Sequence, residues 1–216
     1  MRPREHFDQE LKALRQQVAD MGQTVSAALA QAITALEQGN VELAKAVQDG
    51  DAAVNAAKDA IEQRVVQLIA TQQPVARDLR RLIAALSISY ELERIADYAK
   101  NTAKMVIGSP DSNRGPLSAP SELITLGQTA RANLDRALAA LDDGNPEAIK
   151  GIIDQEDEID HEYKQLKQGL VSKLTPPETA DLLFIAHNFE RVSDRALNMV
   201  EKIIYTMSGD QVELND

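Results

Sequence analysis

The chain has 216 residues, 44% hydrophobic but only 3% aromatic, a profile that suits closely packed helices better than sheets. Its formal charge of −11 argues against a nucleic-acid partner, because phosphate binding needs clustered Lys and Arg. With no cysteine, disulfides, thiolate catalysis and zinc–thiolate sites are excluded.

The first segment opens on MRPREHFDQE, which holds no apolar run, and runs to Gly39-Asn40. The second ends at Gln73-Pro74. The third carries Leu79, Leu82, Ile83, Leu86 and Tyr90 at the three-and-four spacing of an amphipathic helix. Near its start Arg77, Arg80 and Arg81 form a small basic group, broken by Asp78, that reads as a solvated helix face. GSPDSNRGPLSAPS, from Gly108 to Ser121, is the linker. A fourth segment ends at Gly144-Asn145-Pro146, where Asn caps and Pro takes the first helical position. The fifth ends at Thr175-Pro176-Pro177, and Thr175 with Glu178 has the form of a capping box for the sixth. Segments of about 27 to 34 residues predict helices about 40 to 50 Å long. The tail SGDQVELND after Met207 reads as a disordered end. No stretch approaches the roughly 18 apolar residues of a membrane span, so a cytoplasmic protein is expected.

The two sides of the linker look alike. ALEQGNVELAKAV, beginning at Ala35, matches ALAALDDGNPEAIKGII, beginning at Ala137. The expected fold is all-α: two tandem, pseudo-symmetric three-helix bundles, over 1–108 and 121–208, with a linker at 109–120 and a tail at 209–216.

ELERIADYAKNTAK from Glu91 and NFERVSDRALNMVE from Asn188 repeat one pattern. Glu93, Arg94, Asp97 and Asn101 coincide with Glu190, Arg191, Asp194 and Asn198. Residues four apart share a helix face, so each carboxylate pair stacks like charges. Equal rise along antiparallel helices then sets what lies opposite. Reflection through the turn near 73 and 74 brings Asp51 and Asn55 within about one residue of the level of Glu93 and Asp97. Reflection through 175 brings Glu156 and Asp160 level with Glu190 and Asp194. Both acidic pairs stand one helical step from an apolar stripe: Leu92, Ile95, Ala99 and Ala103 in one half, Phe189, Val192, Ala196 and Met199 in the other. Carboxylates at a helix–helix seam repel and lose solvation, and a bound cation is the simplest compensation.

Oxygen donors without thiolate favour Mg, Ca, Mn or Fe, with Zn also admitted. Three acids at the first seam against four at the second predict tighter metal binding at the second. The plainer reading is a salt-bridged helix face with Arg94 and Arg191 as partners. Glu158 and His161 form an ExxH of the di-metal carboxylate kind, but the first half offers no equivalent His. Lys100, Lys104 and Lys202 read as surface charges near helix ends. No phosphate loop, GxSxG or nucleophile–base pair is present, and no enzyme activity is expected.

The duplicated ERIAD…N and ERVSD…N, each preceded by an acidic pair in the previous helix, resemble the PhoU family of phosphate-signalling proteins. FDQELKALRQQVADMG resembles that family's first helix, and QPVARDLR from Gln73 its entry to the third, so the likeness covers nearly the whole chain. The resemblance implies two three-helix bundles, a homodimer, and iron or zinc at Asp51, Glu93, Asp97, Glu156, Asp160, Glu190 and Asp194. Asn55 stands where the family has an acid, and Ala96 and Ser193 where it often has Gly. It also implies a non-enzymatic adaptor that couples the ATPase of the phosphate ABC transporter to a phosphate-sensing histidine kinase and meets the membrane only through partners. A carboxylate metal store or redox enzyme is the alternative, and a purely structural coiled-coil module is a second.

Overall fold

The computed structural model describes residues 3–108, 117, 119–143, 146–173 and 176–214. The side chains of 3, 142, 143, 146–148, 156, 157, 171–173 and 176–178 lie outside that description, as do the expected Asn145 cap, the Thr175–Glu178 capping box and most of the linker. Among the described residues there are six helices and no strand: α1 (Pro3–Gln38), α2 (Val41–Gln72), α3 (Ala76–Ile107), α4 (Ser121–Asp143), α5 (Pro146–Lys173) and α6 (Pro176–Ser208). The all-α expectation holds. At 36 residues α1 is longer than the expected range, and at 23 residues α4 is shorter.

The first turn shows why the breakers work. Gly39 takes φ 61°, and the amide of Asn40 donates to the Ala35 carbonyl at 2.9 Å, which closes α1. Asn40 then caps the next helix, its Oδ1 accepting from the Leu43 amide at 3.1 Å. Between α2 and α3 the chain turns through Gln73, left-handed at φ 46°, and the extended Val75.

α2 packs on α1 and α3, α5 packs on α4 and α6, and the halves meet where α3 lies on α6 and α1 on α4. Four helices thus form the centre, and one apolar core runs through both halves. Polar contacts cross the same joint. Ser26 Oγ donates to Asp135 Oδ1 at 2.5 Å, Arg195 Nη1 to Glu91 Oε2 at 3.2 Å, and the buried Asn188 Nδ2 to Thr102 Oγ1 at 3.4 Å.

Because α3 touches α1, α2 and α6, its burial does not follow the single stripe read from the sequence. Leu82 is buried and Leu86 half-buried, but Leu79, Ile83 and Tyr90 are 37%, 42% and 42% exposed. The residues that close the core are Ile88, Leu92, Ile95, Ala99 and Ala103. The tail also departs from expectation. Gly209, at φ 85°, bends the chain back; the Leu214 amide donates to Glu201 Oε1 at 2.9 Å and its side chain packs on the core. An acceptor and an apolar contact order this segment despite its polar sequence.

Helical Gly127 sits where α1, α4 and α6 converge. A methyl group there would stand 2.8 Å from Phe189 Cε2 and 3.2 Å from Ile33 Cγ1. Phe189 is fully buried and cannot swing aside. Gly127→Ala is therefore expected to destabilise by about 1–3 kcal/mol, despite the better helix propensity of alanine. Urea unfolding of the variant measures this, and an increase in stability would contradict the packing described.

Candidate functional site

The α5–α6 contact lies at the level expected from the turn near 175, whereas the α2–α3 contacts are centred about two residues later than the turn near 73 and 74 predicts. In the first half Lys100 of α3 reaches Asp51 of α2, and Tyr90 Oη donates to Glu62 Oε2 at 3.0 Å. In the second half Tyr163 of α5 and His187 of α6 have ring centroids 6.4 Å apart.

Asp51 faces inward and is 8% exposed. Its Oδ2 accepts from Lys100 Nζ in a short ion pair and from Asn55 Nδ2 at 3.1 Å. Lys100 is held above the ordinary lysine range, first by that hydrogen bond and then, against the cost of burial, by the charges of Asp51, Asp97 and Glu93. All three acids therefore bear on one ammonium. Arg94 stays outside, with 62% side-chain exposure and loose contacts of 3.8 Å to Glu93 and 4.0 Å to Asp97.

The second seam solves the same problem differently. Arg191 donates from Nε and Nη2 to the two oxygens of Glu190 at 2.9 and 3.0 Å, and Nη2 lies 2.5 Å from Asp194 Oδ2. That bidentate pair, together with Asp194, raises the already high guanidinium pKa. His187 Nδ1 stands 3.3 Å from Glu190 Oε2. The repeat spacing of 97 residues explains the difference, since it places Leu197, fully buried, where the first half has Lys100. With no ammonium available from that position, the arginine folds inward.

Lys100 is thus the residue the sequence reading missed, assigned to a bland surface when it closes the seam. The signal was present: it follows Asp97 by three and Glu93 by seven, on the same helix face. The other expected residues lie as follows. Glu93 and Asp97 have 20% and 37% side-chain exposure, and Asp160 pairs with Lys164 one turn on, at 3.0 Å. Asn101 and Asn198 sit one turn beyond the aspartates, both half-buried. The side chain of Glu156 lies outside the described residues. Ala96 and Ser193 are buried at the joints, and Ser193 Oγ accepts from Asn133 Nδ2 at 2.9 Å. The ExxH pair does not assemble. Glu158 and His161 are both exposed, and His161 contacts Gln165 at 2.7 Å.

The donor chemistry at both seams fits a hard or borderline cation. The side-chain arrangement is nevertheless that of ion pairs, and among the described residues no three His, Asp or Glu side chains converge as metal ligands. The cations filling the seams are Lys100 and Arg191. Replacing Lys100 by Met leaves the buried Asp51 charge with Asn55 alone. That change is expected to cost about 1–3 kcal/mol, whereas Arg94→Ala, at an exposed site, should stay within about 0.5 kcal/mol. Chemical denaturation of both variants measures the contrast, and equal losses would contradict the assignment.

The PhoU domain family matches this chain twice, over residues 18–106 and 123–203. A "Phosphate-specific transport system accessory protein PhoU homolog" from Rhizobium meliloti is 33% identical over 95% of this chain and 88% of its own length. The "Phosphate-specific transport system accessory protein PhoU" of Escherichia coli K12 is 32% identical over 94% and 86%. The crystal structure of the "phosphate transport system regulatory protein PhoU" from Streptococcus pneumoniae superposes with a TM-score of 0.86 at 27% identity, covering 96% of this chain and 99% of that one. The structure of PhoU from Pseudomonas aeruginosa gives the same TM-score at 26% identity, over 94% and 100%. Two domain matches that fall one on each half of the duplication, carboxylate motifs included, place this chain in the PhoU family.

Proposed function

We propose that this protein is a non-enzymatic regulator of phosphate uptake and a negative regulator of the phosphate-starvation response. In this reading it works in the cytoplasm as a homodimer and couples the ATPase of a phosphate ABC transporter to a phosphate-sensing histidine kinase. The observation that carries it is similarity along nearly the whole chain to proteins named as accessory to, or regulatory of, phosphate transport. Those names describe regulators, not enzymes. Among the described residues no helix is long and apolar enough to cross a membrane, so contact with a transporter would run through its soluble parts.

Metal binding belongs to the same proposal. Asp51, Glu93 and Asp97, with Asn55 beside them, and Glu156, Asp160, Glu190 and Asp194 would hold Fe, Zn, Mg, Mn or Ca. The ion would displace Lys100 or Arg191 from the carboxylates, and the second seam would bind it more tightly because it has the additional acid. The helix pairs α2–α3 and α5–α6 would then present a stiffened face to the partner. A metal-store or redox-enzyme reading is supported by no observation at Glu158 and His161, which are exposed and join no group of three possible ligands among the described residues.

The primary test is an alkaline phosphatase reporter in a deletion strain grown in excess phosphate. The reporter is expected to switch on and to be silenced again by the wild-type gene; a reporter that stays off would reject the regulatory role. The joint variant Glu190→Ala/Asp194→Ala is expected to lose partner binding while melting cooperatively. Undiminished binding to both the ATPase and the kinase would remove the second seam from the interface.

A further inference from the structure

Lys12, Arg15, Arg77 and Arg81 line a cleft of about 550 Å³ between α1, the first half of α3 and the C-terminal ends of α4 and α6. The basic group on α3, read from the sequence as a solvated face, meets two further cations from α1. Among the lining residues Asp8 is the sole carboxylate, and it already pairs with Arg4 at 3.2 Å. Asp78, buried beside the rim, accepts from Arg4 at 2.7 Å and from Arg81 at 3.4 Å. Lys12 and Arg77 have no carboxylate partner among the described residues. Nε of the neighbouring Arg80 is buried without an acceptor. A chain of net charge −11 has therefore gathered four cations here, while the two nearby acids, Asp8 and Asp78, are already engaged by Arg4 and Arg81.

The backbone strengthens the field. α3 starts at Ala76, and Val75 supplies no side-chain cap. The positive end of the helix dipole thus lies under Arg77, Arg80 and Arg81, where cations are least favoured. An anion in the cleft would answer both the dipole and the crowded side chains.

The floor specifies the rest of the ligand. It is aliphatic, formed by residues such as Leu11, Val18, Ala84, Ile88 and Leu141, and no aromatic side chain lines it. Thr206, the lining hydroxyl, donates to the Ile203 carbonyl at 2.7 Å. There is no ring to stack a nucleobase and no amide to read its edge. A flexible hydrocarbon fits such a surface, and the volume lies in the range of roughly 300–1,000 Å³ that holds small organic ligands.

We propose that this cleft binds a small amphiphilic anion, a single aliphatic chain ended by a phosphate or carboxylate. Lys12, Arg77 and Arg81 hold the head group, and the chain lies along the floor between α1 and α3. Four helices wall the half-open cleft, which favours one molecule lying along it over the flat surface of a bilayer.

Titration calorimetry of the full chain with decyl phosphate and decanoate, below micelle formation, tests this. Saturable binding of at least one of them is expected, weakened roughly tenfold or more in Lys12→Gln/Arg77→Gln. Both side chains are exposed, so the melting curve of that variant should match the wild type. On the wild type, butyl phosphate should bind more weakly than decyl phosphate by a similar factor. Equal affinity for inorganic phosphate and decyl phosphate would overturn the proposal in favour of a simple anion site. Decanol binding as tightly as decyl phosphate would overturn it by removing the role of charge. Binding to phosphatidylglycerol vesicles but to neither monomer would overturn it in favour of a membrane-facing surface, and binding to none of these would reject it outright.

Discussion

Asp51 is 8% exposed and shares the ammonium of Lys100 with the two acids of α3, and a buried carboxylate is costly without positive charge or hydrogen bonds beside it. Each half of this molecule provides that charge from its own third helix. Lys100 reaches across to Asp51, and Arg191 folds down onto Glu190 and Asp194. In the first half that ion pair ties α3 to α2, whereas the described ion pairs of Arg191 lie within α6 itself. The duplication kept the Glu and Asp pair of the third helix but not the cation that answers it. Leu197 at the place of Lys100 leaves the second half to be neutralised by its arginine, while Arg94 in the first half remains in solvent. Two sites that look equivalent as motifs are therefore different electrostatic environments.

The rest of the architecture keeps those seams in place. α3 and α6 carry the acidic pairs on one side and on the other pack against each other at the joint between halves. Ala96 and Ser193 are small and buried on other sides of these helices, Ala96 beside Asp51 and α1 and Ser193 against Asn133 of α4. Arg195–Glu91 and Asn188–Thr102 then fix the two helices relative to one another. The basic cleft lies on the same α3, one end of which carries Arg77 and Arg81 and the other the first seam.

The helices and their turns were legible because they rest on local rules: apolar spacing, with Gly and Asn at the ends. The candidate acids came from equal rise along antiparallel neighbours, which the contacts across α2 and α3 follow only loosely. Contacts between the halves were not legible, since no periodicity in one chain says that α3 will lie on α6. Leu79, Ile83 and Tyr90 share the amphipathic spacing of α3, yet all three are exposed. The tail was misread for a related reason: its polar composition hides one long-range acceptor, Glu201. Lys100 was readable from its spacing to Asp97 and Glu93, but a lysine near a helix end is more often a surface charge. Its role became clear only with Asp51 opposite.

The central claim is that each seam is filled by a cation from the chain, which any bound metal must displace. Calorimetric titration of Mn or Zn onto wild-type protein, Lys100→Gln and Arg191→Gln tests it most directly. The account predicts tighter metal binding in each variant, at the seam whose resident cation has been removed. Metal affinity that is unchanged or weakened by both substitutions would contradict it, and would mean that Lys100 and Arg191 do not compete for these carboxylates.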